Sequence, residues 1–194
     1  MTKDMTRSRL LEHGTRLILE HGYNHTGIQA VLQAAGVPKG SFYHYFKTKE
    51  EFGLAILDAY FDAHMGNVGR FFSDQSLSPL ARLRGCFEFY VEHFRAREWK
   101  DGCLLGNMSQ ELADQNPTFR ARLQGLFGRW CRRVEECLDE ARRAGELRAG
   151  LDLRLLAEFC VNSWEGAILR MKANKSIEPL LTFLSFFDVL LEQG

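Results

Sequence analysis

The chain has 194 residues, no formal net charge and 45% hydrophobic residues, a composition typical of water-soluble globular proteins. It is long enough to bury a core as one domain or as two small ones. Its most apolar stretch, residues 180–191, contains Thr182, Ser185 and Asp188 and is shorter than the ~20 residues that span a bilayer. The N-terminus lacks the apolar run of a signal peptide. We therefore expect a cytoplasmic protein with no membrane partner.

The five cysteines are expected to be reduced, because a cytoplasmic location and an odd number both argue against a disulfide framework. Their spacing resembles no zinc site, so we predict neither a metal nor a cofactor. Charge is unevenly distributed, since residues 1–50 carry seven Lys and Arg against four Asp and Glu, whereas the remainder carries 18 against 21. A basic head on an acidic body is consistent with one end that binds DNA.

Helical periodicity dominates the chain, and alternating runs rich in Val, Ile and Thr are absent. The pattern therefore predicts an all-α fold. The first helix covers about residues 5–21 and ends at Gly22, and two short helices follow between residues 26 and 46. Further helices are predicted at about 48–72 (with a break near Gly66 and Gly69), 79–98, 107–113, 117–144, 152–173 and 176–192. Asn116 is the predicted cap of the helix at 117–144, and Asp152 that of the helix at 152–173.

The two short helices have clear start and stop signals. Thr26, with Gln29 three residues later, forms a capping box that predicts the start of the first helix. Gly36 predicts its end, because a residue without a Cβ readily adopts the left-handed conformation at a helix exit. Pro38 fits the first position of the second helix, where no backbone N–H is needed.

The second short helix runs to about Phe46 and has an inward and an outward face. Phe42 and Phe46 are four residues apart and share the inward face. The outward face carries three aromatic rings, a lysine and a hydroxyl but no acid: Lys39, Ser41, Tyr43, His44 and Tyr45. This combination suits a phosphate backbone and base edges better than it suits solubility alone. A second capping box, Thr48 with Glu51, predicts the start of the next helix.

Residues 37–52 resemble the signature of the TetR/AcrR family of transcriptional regulators, and the resemblance covers about residues 5–52. It implies an N-terminal helix-turn-helix DNA-binding domain over residues 1–52 and an all-helical effector-sensing and dimerisation domain over residues 53–194. The expected partner is double-stranded DNA with a palindromic operator. The alternative is a helix-turn-helix that serves only packing.

On that reading the outward residues divide into two groups. We expect Lys39 and Tyr43 to lie nearest the bases of the major groove, with Gln29 also reaching a base. Phosphate contacts are expected from Thr26, Ser41, His44, Tyr45 and Lys49.

The last two predicted helices, at about 152–173 and 176–192, are apolar on most sides. The apolar residues are Leu155, Leu156, Phe159, Cys160, Trp164, Ile168 and Leu169 in the first, and Leu180, Leu181, Phe183, Leu184, Phe186, Phe187, Leu190 and Leu191 in the second. Such helices must be covered on most sides, either by an intrachain core or by a second copy. The family resemblance favours a homodimer built as a four-helix bundle, with Phe187 in the interface.

Cys103 follows a glycine and lies just ahead of a helix predicted to start near Asn107 or Met108. A thiol near a helix N-terminus can have a lowered pKa, because the helix end favours the thiolate. Cys103 is therefore the best candidate for a reactive thiol, and its alternative is a small buried hydrophobe. The other four are interpreted only in that second way: Cys86, Cys131, Cys137 and Cys160.

Two short body segments, residues 102–107 and 164–172, resemble a branch of the same family. This branch includes the acrylate-utilisation regulator and the repressor of N-ethylmaleimide reductase, which senses electrophiles and reactive chlorine through a cysteine and a lysine. Cys103 and Lys172 match those two positions, so the resemblance implies that they form a sensor. A nearby ammonium lowers the pKa of a thiol, and an amine can trap an oxidised sulfur. Otherwise Lys172 is solvated surface.

A reversible small-molecule pocket competes with covalent sensing. Its candidate residues are Asn107, Gln110, Glu111, Trp130, Trp164 and Glu165. An all-α thiol enzyme and a scaffold dimer without DNA binding are the remaining alternatives, and no Cys–His pair at recognisable spacing supports the enzyme. The sequence thus predicts a homodimeric repressor, not an enzyme, that an electrophile, an oxidant or another small-molecule inducer releases from its operator.

Overall fold

The computed structural model describes the backbone of residues 3–191 and the side chains of residues 5–187 and 189. Within residues 3–191 the chain forms nine helices and no strand, which confirms the all-α prediction. The helices are α1 (Lys3–His21), α2 (Ile28–Ala35), α3 (Lys39–Tyr45), α4 (Lys49–Phe72), α5 (Pro79–Ala96), α6 (Leu104–Leu112), α7 (Pro117–Arg143), α8 (Leu153–Asn174) and α9 (Glu178–Leu191). None of the helices in this range is long and apolar enough to cross a membrane. The predicted end of the last helix near residue 192, and the side chains of Leu190 and Leu191, lie outside the described residues.

Several helix ends have the caps that the sequence predicts. Gly36 closes α2 in the left-handed conformation, with φ of 62°. The side-chain oxygen of Asn116 accepts a hydrogen bond from the N–H of Phe119 at 3.1 Å, and that of Asp152 accepts one from Leu155 at 3.1 Å. Each cap satisfies an N–H that the first turn of a helix would otherwise leave without an acceptor.

Three local predictions are wrong. The residue that caps α2 is Gly27 and not Thr26, and no side chain supplies the cap. Helix α6 begins at Leu104, with Cys103 itself at the N-cap, three residues earlier than the predicted start near Asn107. The predicted break near Gly66 and Gly69 is also absent from α4, which is continuous over its described length.

The chain divides into two compact units. The head unit comprises the described residues up to 63 together with 103–124, and the body unit comprises 64–102 together with those from 125 onward. This division differs from the boundary expected after residue 52, because α6 and the start of α7 pack with the head. In particular, the ring of Phe119 in α7 packs edge-on against Tyr23 with 5.1 Å between ring centroids.

The core of the head unit is aromatic. Phe42, Phe46 and Phe52 surround one another with ring centroids 4.9–5.6 Å apart, so the inward face predicted for α3 is confirmed. Helix α1 approaches α4 closely at Gly14, where an added Cβ would lie 2.5 Å from the ring of Phe52. A side chain at this position would therefore push α1 away from the helix that follows α3.

The body unit has a separate aromatic core. Phe87 of α5 contacts Trp164 of α8 at 4.9 Å and Phe183 and Phe187 of α9 at 4.8 and 5.5 Å between ring centroids. These edge-on and tilted arrangements are the geometries that aromatic pairs prefer. Trp164 and Phe187 are therefore intrachain core.

Candidate nucleic-acid interface and thiol site

Helix α3 turns its polar face outward. Phe42 is fully buried, whereas Tyr43 is 51% exposed. Lys39 and His44 are also exposed, and Ser41 and Tyr45 are half-buried. Gln29 of α2 is exposed as well. A short helix that presents an ammonium, a hydroxyl and aromatic edges, with no carboxylate of its own, fits the donor and acceptor pattern of the major groove.

Gly40 stands in the first turn of α3 in open space. A Cβ added there would meet nothing within 4 Å, so neither packing nor backbone conformation requires a glycine. A glycine inside a helix costs roughly 0.5–1 kcal/mol relative to alanine. Gly40 shares this open setting with other helical glycines, among them Gly66 and Gly69 of α4.

Thr26 is the exception among the expected phosphate contacts. Its side chain is buried, with 4% exposed, and its hydroxyl donates to the carbonyl oxygens of Gly22 at 2.7 Å and Leu17 at 3.2 Å. Thr26 therefore closes the end of α1 rather than the start of α2, and its side chain does not lie on the exposed surface.

Lys49 is half-buried at the start of α4. Its ammonium donates to the carbonyl oxygen of Asn24 at 3.2 Å and lies 4.6 Å from the centre of the Tyr23 ring. Burial lowers the pKa of Lys49, while the charge of Glu111 acts in the opposite direction. An ammonium has three donors, so a phosphate contact remains compatible with the contact to Asn24. Lys49 thus also has a role inside the head unit.

Glu111 of α6 is bonded to the backbone of the head unit. Its carboxylate accepts hydrogen bonds from the backbone N–H groups of Tyr23 at 2.8 Å and Asn24 at 2.6 Å, both in the turn that follows α1. Sequence reasoning missed this role, because a contact across 88 positions leaves no local pattern in the chain. The only local signal was the glycine that ends α1.

Cys103 is buried, with 7% exposed, and occupies the N-cap of α6. None of the five cysteines, all within the described residues, forms a disulfide. Burial raises the pKa of the other buried thiols to about 12 in each case, at Cys86, Cys137 and Cys160. Cys131 is half-buried, and burial again raises its pKa. These four thiols are thus poor nucleophiles at neutral pH, since the thiolate is the reactive form.

The segment just before Cys103 has an unusual backbone. Glu98, Trp99 and Asp101 have φ of 53°, 60° and 70°, a region that side chains other than glycine rarely adopt. Lys172 of α8 donates from its Nζ to the carbonyl oxygen of Asp101 at 3.0 Å, and Lys175 donates to that of Trp99 at 3.5 Å. Lys172 is therefore half-buried and bonded, and it is not solvated surface.

The six residues expected to line a pocket are not equivalent. In the head unit Gln110 is exposed and Asn107 is half-buried. In the body unit Trp164 is 1% exposed within the aromatic core and Trp130 is buried against the ring of His64 at 4.6 Å, while Glu165 is half-buried. Trp164 and Trp130 therefore pack as core, and the carboxylate of Glu111 is already bonded within the head unit.

A groove of about 380 Å³ runs between α8 and α9 instead. Its lining is mostly apolar with a few polar groups, and includes Phe159, Cys160, Arg170, Glu178, Thr182 and Phe186. Large apolar side chains stand exposed on the same two helices: Leu155, Phe159, Leu169, Leu181, Phe186 and Val189. Exposed apolar side chains on two helices that pack together are typical of a surface that another protein covers.

Comparison with known proteins identifies a family of regulators. Residues 10–56 match the family described as bacterial regulatory proteins, tetR family, and residues 79–187 match the tetracyclin repressor-like C-terminal domain. The chain is 38% identical to the HTH-type transcriptional repressor DhaR of Mycobacterium sp. (strain GP1), over 98% of this chain and 95% of that protein. It is 40% identical to the transcriptional regulator AcuR of Cereibacter sphaeroides, over 94% and 84%.

Solved structures agree with this assignment. A regulatory protein TetR from Rhodobacter sphaeroides superposes with a TM-score of 0.90 at 40% identity, covering 94% of this chain and 97% of that one. The reduced form of NemR from Escherichia coli superposes with a TM-score of 0.87 at 27% identity, covering 97% and 98%. The chain therefore belongs to the TetR family and is a DNA-binding transcriptional regulator.

Proposed function

We propose that the protein is a homodimeric repressor that binds a palindromic operator through α3, and that a small electrophile or oxidant releases it by modifying Cys103. The first part is supported by the outward face of α3, which carries several hydrogen-bond donors and no carboxylate. Two relatives of the chain, DhaR and NemR, are named repressors. We expect it to act in the cytoplasm.

The contacts to DNA fall into two groups. Lys39 and Tyr43 of α3 are exposed and are assigned to base edges, together with the exposed Gln29 of α2. Phosphate contacts are assigned to Ser41, His44, Tyr45 and Lys49. Gly40 lets the phosphate backbone approach the first turn of α3 without a side chain in between.

The exposed apolar stripe on α8 and α9 is assigned to the second copy. Leu155, Phe159 and Leu169 are spaced so that they lie along one side of α8, and Phe186 and Val189 extend that face onto α9. A two-fold axis through such a face makes it self-complementary. It would also place two recognition helices on half-sites about one helical turn of DNA apart or somewhat more, ~34–36 Å.

Selection from a pool of randomised duplexes tests this part. The expected product is a palindrome bound by one dimer, with affinity that falls steeply as salt increases. Selection of a single half-site by a monomer would contradict the dimer, and no enrichment of any sequence would contradict sequence reading by α3.

The sensing part rests on the placement of Cys103. It caps α6, and Lys172 bonds the carbonyl oxygen of Asp101, two residues earlier in the chain. With an activated alkene, the thiolate sulfur forms a bond to the β-carbon and the α-carbon takes up a proton. With hypochlorous acid, the thiol forms a sulfenyl chloride and water. The amine of Lys172 then displaces chloride from sulfur and loses a proton, which leaves a sulfur–nitrogen bond.

Mass spectrometry after substoichiometric reaction tests the chemistry. N-ethylmaleimide should label Cys103 before the other four cysteines, since Cys103 caps the N-terminus of α6 whereas burial raises the pKa of the others. One equivalent of hypochlorous acid should give a Cys103–Lys172 crosslink lighter than the parent by two hydrogen atoms, and Lys172→Ala should abolish it. First labelling at another cysteine would contradict the assignment.

A reversible inducer with a structural Cys103 is the second possibility. The burial of Cys103 favours it, because a thiol with 7% exposure must become accessible before it reacts. In that case the operator complex would dissociate with a non-reactive ligand, and Cys103→Ser would respond as the wild type does.

A further inference from the structure

We propose that the carboxylate of Glu111 is a latch that transmits the state of α6 to the DNA-binding helices. The Glu111 latch denotes this carboxylate together with the backbone N–H groups of Tyr23 and Asn24. The inference rests on the proposed function, because it names the positioning residue through which the sensor would act. All of its members lie in the head unit.

The latch joins two segments that are distant in sequence. Glu111 lies in the last turn of α6, and its two carboxylate oxygens accept from Tyr23 at 2.8 Å and Asn24 at 2.6 Å. An ionised acceptor with two separate donors makes short, strong hydrogen bonds that fix orientation as well as distance. A change in the position of α6 therefore cannot leave the turn after α1 where it is without breaking these bonds.

The turn is shaped to receive the carboxylate. Gly22 has φ of 85°, and a Cβ added to it would lie 3.2 Å from one oxygen of Glu111 and 3.4 Å from the other. A residue with a side chain would thus meet both backbone strain and a crowded carboxylate. Gly22 serves the latch as well as ending α1.

The same turn fixes the parts that meet DNA. Thr26 bonds back to the carbonyl oxygen of Gly22 at 2.7 Å, immediately before Gly27 caps α2. Lys49 reaches the carbonyl oxygen of Asn24 at 3.2 Å from the start of α4. The turn is therefore bonded on one side to the entry of α2 and on the other to the helix that follows α3.

Helix α6 connects the latch to the sensing end. Cys103 caps its N-terminus and Glu111 lies eight residues further on, about 12 Å along a rigid helix. Bulk added at Cys103 that displaces or rotates α6 moves Glu111 with it. The two hydrogen bonds of the latch then either move the turn after α1 or break. Either outcome changes the placement of α2 and α3.

Glu111→Gln is the sharpest test, because it keeps the shape but leaves only one oxygen to accept from two N–H groups. Asp114→Asn is the matched control, since it neutralises an exposed carboxylate three residues away. Operator affinity is measured before and after complete N-ethylmaleimide labelling. On labelling, the operator affinity of the wild type and of Asp114→Asn should fall about a hundredfold, whereas that of Glu111→Gln should fall less than about fivefold. A hundredfold loss in Glu111→Gln overturns the proposal.

Hydrogen exchange tests the latch independently of the sensing proposal. In unlabelled Glu111→Gln the amides of Tyr23 and Asn24 should exchange at least about tenfold faster than in the wild type, and Asp114→Asn should leave them unchanged. If labelling does not release the wild type, the sensing proposal fails and the exchange result alone decides the latch. Exchange equal to the wild type then overturns it, and faster exchange together with altered operator affinity sustains it.

Discussion

Phe186 and Phe187 are neighbours in α9 that differ sharply in burial, with 64% of Phe186 exposed and 4% of Phe187. Phe187 packs on Phe87 and Phe183 within its own chain. Phe186 stands on the open face of α9 and lines the groove beside α8. The sequence predicts Phe187 in the interface, but this ring is buried within its own chain, so we propose Phe186 for that role instead.

This pair gives a matched test of the dimer. Phe186→Glu should yield a folded monomer, because it places a charge in the proposed interface and leaves the core intact. Phe187→Glu should instead destabilise the fold by about 3–5 kcal/mol, since it removes a buried ring and buries a carboxylate. Light scattering and thermal unfolding distinguish the two. A dimeric Phe186→Glu protein at micromolar concentration would place the interface elsewhere.

Lys39 should carry sequence preference rather than general affinity. We expect Lys39→Ala to cost about 1–3 kcal/mol on the selected operator and much less on unrelated duplexes, because it removes a base contact. Lys49→Ala should weaken all duplexes alike and should also lower thermal stability, since its contacts to Asn24 and Tyr23 are lost. Both effects are measured as the affinity of each variant for a panel of duplexes. If both variants lost affinity equally on every sequence, the assignment of Lys39 to bases and Lys49 to phosphates would be refuted.

Thr26 offers a test of a structural against a DNA-binding role. Thr26→Val keeps the shape and removes the hydroxyl that donates to Gly22 and Leu17, so unfolding should become easier by about 1–3 kcal/mol. The slope of operator affinity against salt should stay unchanged, whereas the loss of a phosphate contact would reduce it by about one. Thr26→Ser, which retains the hydroxyl, is the control and should behave as the wild type.

The stability of the body unit should depend on pH through His64. Burial lowers the pKa of His64 from 6.5 to about 4. Because the pKa is depressed in the folded state, the unfolded chain takes up the proton first as pH falls. The stabilisation from neutral His64 is therefore fully present above pH 6.5 and is lost as pH falls toward 4. Between pH 7 and 4.5 the free energy of unfolding, measured with urea, should fall by about 2–3 kcal/mol more in the wild type than in His64→Phe. Parallel losses in the two proteins would contradict this.

Local signals predicted the helices well and distant contacts poorly. Caps such as Gly36 and Asn116, and the inward faces of Phe42 and Phe46, depend on neighbours within four residues, so the sequence was sufficient. The bond from Tyr23 to Glu111 depends on packing of distant helices and left no periodic trace. For the same reason, periodicity in α9 showed an apolar helix but could not tell Phe186 from Phe187.

Operator affinity before and after a single N-ethylmaleimide adduct tests the central claim most directly. It is measured by fluorescence anisotropy on the wild type and on Cys103→Ser, with the adduct located by mass spectrometry. We predict that the operator affinity of the wild type falls about a hundredfold, equivalent to ~2–3 kcal/mol, and that Cys103→Ser retains its affinity. Equal loss in both proteins, or no loss in the wild type with Cys103 fully labelled, would contradict release through this thiol.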